Sequence, residues 1–438
     1  MKKYNQFLKY FSIFFIQFFA IQATGQQELN LHFLPDIWQT NITNPALLPE
    51  KRTIVLALPS VYFNVNSPKF TLSNISATEN GKTVLRLDSL VRYLDPADNR
   101  LNLNFETRTL GIAFSRKKWT FSLEHAVKGD GSLLFSRDLV AAFTQGNRRN
   151  PLLQMQGNLN LGVYSEIGLG VAYKMGALTL GGRAKLLSGV AGTFTERDKL
   201  TIKTDTLNYN LQFDTDFSVL TFGTDAFSYL TTNPLTFAKS RLITKNRGMA
   251  FDIGATYKVG KLTIAASLID VGATIKWQEA AKTYRSQGTY YYRGLNGDKL
   301  FNLDSLGKTE WQDTLKRIVN LQEGNSATYE TSIPQKMYLS ATLQISKKLT
   351  LGGLIYSESR PNDTRRGYVI NAQYKLWDIL SIGGSYAARN NKFDNIGLSA
   401  VLNLKFIQIY AVTDNALGAL QLANAHNANG RIGANVKF

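Results

Sequence analysis

The sequence predicts an all-β fold, a transmembrane antiparallel β-barrel of about 14 strands with an N-terminal plug segment and short helical insertions in its loops. Three observations carry this. The chain opens on an export signal, it alternates apolar with small polar residues again and again, and it ends on an alternating strand that stops at an aromatic. The organisation that follows is a signal peptide over 1–25, a plug or hatch segment over 26–52, and a barrel over 53–438 with a long loop at 278–334.

The signal reads from Lys2, Lys3 and Lys9, an apolar run from Phe11 to Ile21, and the small residues Ala23-Thr24-Gly25 before Gln26. That run is too short for an anchoring helix, which needs about 20 apolar residues. Export and the barrel pattern together place the mature protein in an outer membrane. No cysteine is present, which removes disulfides, cysteine-based metal sites, thiol nucleophiles and a lipid-modified N-terminal cysteine. The formal charge of +18 falls to +15 without the three signal lysines, a surplus suited to lipid phosphates. No basic arm or binding motif points to nucleic acid.

The strands announce themselves by period. Phe251, Ile253, Ala255 and Tyr257 share one face opposite Asp252, Gly254 and Thr256; Leu262, Ile264, Ala266 and Leu268 resume it after a turn. Leu159, Leu161 and Val163 alternate with Asn158, Asn160 and Gly162, and Leu178, Leu180, Ala184 and Leu186 with Thr179, Gly181, Arg183 and Lys185. A soluble sandwich would show lysine and glutamate on its second face; glycine, threonine, serine and asparagine suit a wet lumen. Asp252, Asp270, Arg183 and Lys185 are therefore candidate polar residues of the lumen, as hydrogen-bonded pairs or as a filter along a transport path.

Short basic turns recur in Y-K-V-G-K-L-T from Tyr257, Y-K-M-G-A-L-T from Tyr173, S-R-K-K-W-T from Ser115, S-K-K-L-T from Ser346 and Y-K-L-W-D-I-L-S from Tyr374. Aromatics and lysines at one rim are the furniture of a bilayer interface. Long links such as Trp277 to Pro334 belong to the other rim. Three insertions read as helices: Thr83 to Leu94 by the face Val84, Leu87, Leu90, Val91 and Leu94; Ser136 to Gly146, with Ser136 as N-cap; and Asp304 to Val319.

Both ends are specific. In R-I-G-A-N-V-K-F the residues Ile432, Ala434, Val436 and Phe438 share a face, and the terminal Phe438 resembles the assembly signal of bacterial outer-membrane barrels, which implies the barrel assembly machinery as a partner. Before the first strand, which starts near Thr53, three prolines (Pro35, Pro45, Pro49) oppose regular structure. Yet Phe33, Leu34, Ile37, Trp38, Leu47 and Leu48 are too apolar for a free tail. The segment is expected to bury against the barrel interior or its rim.

Asn44, Pro45 and Ala46, with an apolar continuation, resemble the hatch motif of FadL-type long-chain fatty-acid and hydrophobic-compound transporters. G-M-A-F-D-I-G-A-T-Y-K from Gly248, S-L-I-D-V-G-A from Ser267 and T-D-N-A-L-G from Thr413 make the mature chain similar to an outer-membrane barrel family of Bacteroidota. This resemblance implies 14 strands and an N-terminal plug, in a fold shared with PorV-like components of type IX secretion. Period alone counts between twelve and eighteen.

Catalysis finds no support: His32, His125 and His426 sit in unrelated settings and no G-x-S-x-G or H-E-x-x-H occurs. No carboxylate run has metal-loop spacing, and no cofactor is expected. Two functions stay open. One is a passive channel for small hydrophobic or amphipathic compounds, gated by the plug. The other is a non-conducting scaffold or secretion accessory that holds a surface or secreted protein by its loops, where Tyr290, Tyr291 and Tyr292 lie.

Overall fold

The structure, a computed structural model, describes residues 28–34, 37–49, 53–79, 82–145, 152–205, 207–208, 210–223, 243–279, 281–292, 319–325, 328–360, 363–389 and 392–438. The expected signal peptide, and the expected helix from Asp304 to Val319 up to its last residue, lie outside the described residues.

Described in chain order, the strands are β1 Ile54–Asn66, β2 Ser76–Glu79, β3 Lys82–Leu85, β4 Asn99–Arg116, β5 Trp119–Phe135, β6 Leu152–Met175, β7 Leu178–Thr204, β8 Leu211–Phe222, β9 Arg247–Val259 and β10 Leu262–Trp277. Then follow β11 Ala281–Tyr292, β12 Gln322–Asn325, β13 Tyr329–Ser332, β14 Gln335–Gln344, β15 Leu349–Arg360, β16 Asp363–Lys375, β17 Leu380–Arg389, β18 Lys392–Asn403, β19 Ile407–Thr413 and β20 Asn427–Lys437. Fourteen of them, β1, β4–β7, β9, β10 and β14–β20, pair each with the next in antiparallel register. The ring closes where Val61 of β1 faces Ile432 of β20 and Phe438 N–H donates to the Ile54 carbonyl at 2.9 Å. A closed sheet has no free edge, so the backbone groups of the wall pair within it except at register shifts.

Alternation decides which face is which. Phe121, Leu123, Leu169, Val171, Phe251, Ile253, Leu339, Ile370, Leu398 and Ile432 are exposed on the outside, while Glu124, Arg183, Lys185, Asp252 and Arg431 are buried inside. Tight turns gather on one rim: Lys117 and Gly260 take positive φ in two-residue links that twist with their strands. Trp119, Tyr257, Tyr374, Trp377, Phe406 and Phe438 stand exposed near that rim. The opposite rim carries the long connections, but the links from Arg360 to Asp363 and from Arg389 to Lys392 are as short as any turn. The asymmetry of the rims is thus partial.

Beyond the wall, β7 outruns its neighbour β9. Its outer half, from Gly192 to Thr204, pairs with β8, β8 with β11 and β11 with β12, forming a sheet that rises past the rim. The stretch expected as a long loop at 278–334 therefore contains strands: Tyr290, Tyr291 and Tyr292 lie in β11, and β13 completes the wall beside β10. The helix expected over 83–94 shrinks to Leu87–Leu90, because Lys82–Leu85 pairs as a hairpin with Ser76–Glu79. β-branched Thr83 and Val84 favour that choice. Leu90 and Leu94 still bury, against Phe135. The second helix forms as Arg137–Thr144, with the Ser136 hydroxyl accepting from Leu139 N–H.

Two bulges shape β10. Leu268 faces Ile253, Val271 faces Phe251 and Thr274 faces Met249, so three residues twice oppose two. Asp270 (φ 60°) and Gly272 (φ 65°) absorb the extra length in the left-handed region. Strict alternation from Leu268 would send Asp270 outward. The first bulge turns it into the lumen and the second restores the parity, so Ala273, Ile275 and Trp277 face in again.

An apolar outer belt of this kind belongs against hydrocarbon. Leu169, 61% exposed on β6, is expected to reject charge: Leu169→Arg should lower folding stability in lipid by about 2–4 kcal/mol. Urea-dependent folding into bilayers measures this, and a cost within ~0.5 kcal/mol, normal for a water-facing site, would contradict the assignment of that face.

Candidate functional site

The N-terminal segment lies inside the barrel. Short 3-10 turns at Asn30–Phe33 and Trp38–Ile42 carry it along the lumen, with prolines excluding anything longer. Leu29, Leu31, Leu34, Ile37 and Trp38 are all buried, Leu31, Leu34 and Ile37 against Val401, Tyr410 and Val412 and Trp38 against Val55, Ala57 and Ala113. Burial of each such side chain contributes about 1.5–3 kcal/mol. Leu29 and Asn30 anchor the inner end by donating their N–H groups to the Asp414 carboxylate at 3.0 and 2.8 Å. Gln39 and Asn435 exchange amide hydrogen bonds at 2.8 and 2.9 Å.

Asn44-Pro45-Ala46 has a seat of its own. The Asn44 side chain accepts from Ala46 N–H at 2.9 Å, folding back on its own turn, and donates to the carbonyls of Ala255 and Ala266 on β9 and β10 at 3.3 and 3.1 Å. Beneath it, Gly181 of β7 and Gly254 of β9 are register partners. A Cβ on Gly254 would stand 2.1 Å from Asn44 Oδ1, and one on Gly181 2.4 Å from the Pro45 carbonyl. Glycine in a strand marks close backbone approach, and here it marks it twice across one pair. Ser267, opposite Gly254, donates to the Thr43 carbonyl at 2.6 Å.

Next to the seat runs a buried network of charge. Lys185 pairs with Asp252 and Asp270, both at 2.7 Å; Arg183 meets Asp252 at 3.3 Å and Glu124 at 3.4 Å. Glu124 continues to Arg108 at 2.5 Å, Arg108 to Glu106 at 2.7 Å, Glu106 to Arg431 at 2.8 Å and Arg431 to Glu28 of the plug at 3.0 Å. Lys128 bridges Glu166 at 2.6 Å, and Lys336 reaches Asp270 at 3.4 Å. The plug completes this network: Arg183 donates to the Asn41 carbonyl at 3.1 Å and the Asn41 amide donates to Glu124 at 2.9 Å. Asp252 also accepts from Asp270 N–H at 2.9 Å, holding the β10 bulge.

His32 is a second titratable group of the plug beside Glu28. Its ring nitrogens sit 2.8 Å from Thr43 Oγ1 and 2.7 Å from Ser340 Oγ, and its ring stacks on Tyr338 at 5.6 Å. Burial without a facing carboxylate pushes it down to about 4, so it is neutral when docked.

Above the plug lie two cavities. The inner, of about 80 Å³, ends on Glu28, Ile42 and Thr43 of the plug and is walled by Glu106, Lys128, Lys185 and Asp270. The outer, of about 630 Å³, is lined by Asn102, Ser132, Asn158, Asn160, Trp277 and Tyr329 among others. They share Asp130, Tyr164 and Lys336, so the outer cavity narrows inward onto the N-terminal segment. Among the described residues no cluster of histidine and carboxylates could hold a metal ion.

All four candidate polar residues meet here: Arg183, Lys185 and Asp252 as the alternation places them and Asp270 by way of the bulge, with Asn44-Pro45-Ala46 beside them. Phe438 does not; it sits at the turn rim, exposed, beside Phe406 at 6.4 Å. Sequence reasoning missed Glu106, Arg108, Glu124, Lys128, Glu166, Lys336 and Arg431. Glu124 and Lys128 were findable, since both share a parity with Ser122 opposite Phe121 and Leu123.

Comparison with known proteins adds the following. Residues 45–414 match the family described as "Family of unknown function (DUF5723)". No curated protein sequence matches. Similar solved structures include the Pseudomonas putida toluene transporter TodX, at 11% identity over 91% of this chain and 93% of that chain with a TM-score of 0.42. The Ralstonia pickettii toluene transporter TbuX is 9% identical over 94% of this chain and 100% of that chain, with a TM-score of 0.41. The translocator domain of autotransporter NalP from Neisseria meningitidis is 9% identical over 89% of each chain, with a TM-score of 0.32. None of these superpositions is close enough to carry an argument about cargo.

Two outcomes follow from the site. Lys185→Met leaves Asp252 and Asp270 short of their closest cation, and removing one partner of a buried pair costs about 3–5 kcal/mol; urea unfolding in detergent micelles should show a loss of that order. For His32, an undocked plug takes up a proton near 6.5 and the docked one only near 4. Docking is thus complete above pH 6.5, weakens as pH falls from 6.5 to 4, and loses nothing further below. Hydrogen exchange of residues 29–49, corrected for intrinsic rates, should rise over that window in the native chain and stay flat in His32→Gln.

Proposed function

The chain belongs to that family, and because the family carries no assigned function we propose one from the geometry: an outer-membrane channel, not an enzyme, closed by its N-terminal segment and admitting small amphipathic compounds from outside. The observation that carries this reading is the constriction at the plug, where a cavity of about 630 Å³ narrows onto Glu28, Ile42 and Thr43. Passage then needs displacement of one segment only. The wall stays closed, and no energy source is required beyond the gradient of the compound itself.

The apolar outer belt and the aromatic rim support the membrane location. In this reading the tight turns and the entry to the plug face the periplasm, and the long connections face outward. Phe438, at the seam between β20 and β1, fits a signal for the barrel assembly machinery. Cargo with both apolar and polar surface suits the lining better than pure hydrocarbon, since Trp277, Tyr329 and Ile333 stand beside asparagines and arginines. The sheet of β7, β8, β11 and β12 above the rim favours one second reading, a scaffold for a surface or secreted protein.

Gly254→Val separates the two. Its side chain collides with Asn44 and Pro45 while leaving the outward face untouched. Proteoliposomes carrying this variant should take up small solutes at least tenfold faster than those with the native chain. Unchanged permeability with an intact barrel would sink the channel reading in favour of the scaffold.

A further inference from the structure

The outer cavity shows a pattern that the channel reading does not use. Around one side of the lumen, five neighbouring strands place short uncharged polar side chains at one level: Asn427 faces Asn66, Asn66 faces Asn102, Asn102 faces Ser132 and Ser132 faces Asn160. Such a belt of amides is costly to bury unless each is bonded. Asn160 is, donating to Asn158 at 2.5 Å, and two residues along the strands Asn64 donates to Asn104 at 2.9 Å and Asn104 to Asp130 at 2.6 Å.

Others are not. Asn102, only 5% exposed and lining the cavity, has an Nδ2 with no hydrogen-bond partner among the described residues. Asn66 Oδ1 and Asn427 Nδ2 also lack one. Of the three only Asn102 lines the cavity, and its open donor asks for a ligand group that accepts. A hydroxyl meets that need, as a carboxylate or phosphate oxygen would, whereas a hydrocarbon cannot.

Charge points the same way. The cavity's cations are committed to carboxylates: Arg360 to Asp130 at 3.0 Å and Glu358 at 2.6 Å, Arg365 to Glu358 at 3.9 Å, and Lys336 to Asp270 at 3.4 Å. Elsewhere in the cavity wall stand aromatic rings. Trp277 Nε1 donates to Thr331 at 2.8 Å, and Tyr329 packs on Phe194 at 5.3 Å and Phe222 at 6.1 Å. The faces of such rings carry partial negative charge and attract the C–H face of a saturated ring.

We infer that the outer cavity is a binding site for a neutral, hydroxyl-rich compound with one apolar face, of the size of one or two sugar rings. This rests on the channel reading only for the route by which the compound enters. A cavity of about 630 Å³ lies within the range of roughly 300–1,000 Å³ typical of small-ligand sites. Asn102, Ser132 and Asn160 would take the hydroxyls, and the half-buried Tyr329, backed by the buried Trp277, the apolar face.

The test uses the full chain in an amine-oxide detergent, which has no sugar headgroup, and titrates maltose by calorimetry with benzoate and toluene alongside. Saturable binding of maltose is expected, weakened at least tenfold in Asn102→Asp, which keeps an acceptor and loses the donor, and in Tyr329→Ala. Heat-dependent gel migration checks that both variants keep the barrel. Preference for benzoate or toluene over maltose, or maltose binding that survives both substitutions, would overturn the inference. Uptake into Gly254→Val liposomes separates it from the channel reading: maltose bound but never admitted overturns the channel and leaves the site, whereas uptake of toluene without maltose binding overturns the site and leaves the channel.

Discussion

Arg183 is the hinge on which the interior turns. One guanidinium spans Glu124 of β5, Asp252 of β9 and the backbone carbonyl of Asn41, so wall and plug share a single cation. A charge so deeply buried is tolerable only when all its neighbours are in place. The plug is for that reason a structural partner of the wall as well as an obstruction. With it docked, six carboxylates (Glu28, Glu106, Glu124, Glu166, Asp252, Asp270) face six cations (Arg108, Lys128, Arg183, Lys185, Lys336, Arg431), and the lumen at this level carries no formal charge of its own.

That balance bears on what the proposed channel would admit. A greasy cargo gains nothing from a passage lined by paired charge, and an ionic one must compete with partners already at 2.5–2.7 Å. The glycine pair beneath Asn44 shows how economical the closure is. Two missing side chains on adjacent strands let a backbone turn lie flat on the wall, where any larger residue would hold it away.

Much of this was legible in the sequence. The period of two fixed the inside of β7 and β9, hence Gly181, Arg183, Lys185, Asp252 and Gly254, because a lipid-facing and a lumen-facing residue differ so sharply in polarity. The prolines and the apolar residues of the first segment likewise required burial without regular structure. What stayed hidden depends on neighbours distant in the chain. No local pattern says that Glu28 meets Arg431, or that β7 outgrows the wall to carry β8 and β11. The misread helix over 83–94 fell to a local contest, in which β-branched residues and a short hairpin partner outweighed an apolar stripe.

The two bulges of β10 also constrain how the chain can change with time. Each alone inverts the inside and outside of everything that follows it in the strand, and only together do they cancel. Straightening either bulge while keeping its extra residue would present Ile275 and Trp277 to the bilayer and Lys276 to the lumen, undoing the aromatic side of the outer cavity at one stroke. Lineages of this barrel can thus lose a residue of β10 at a bulge, where the strand straightens and Ile275 and Trp277 keep their side, but not lose the bulge and keep the residue.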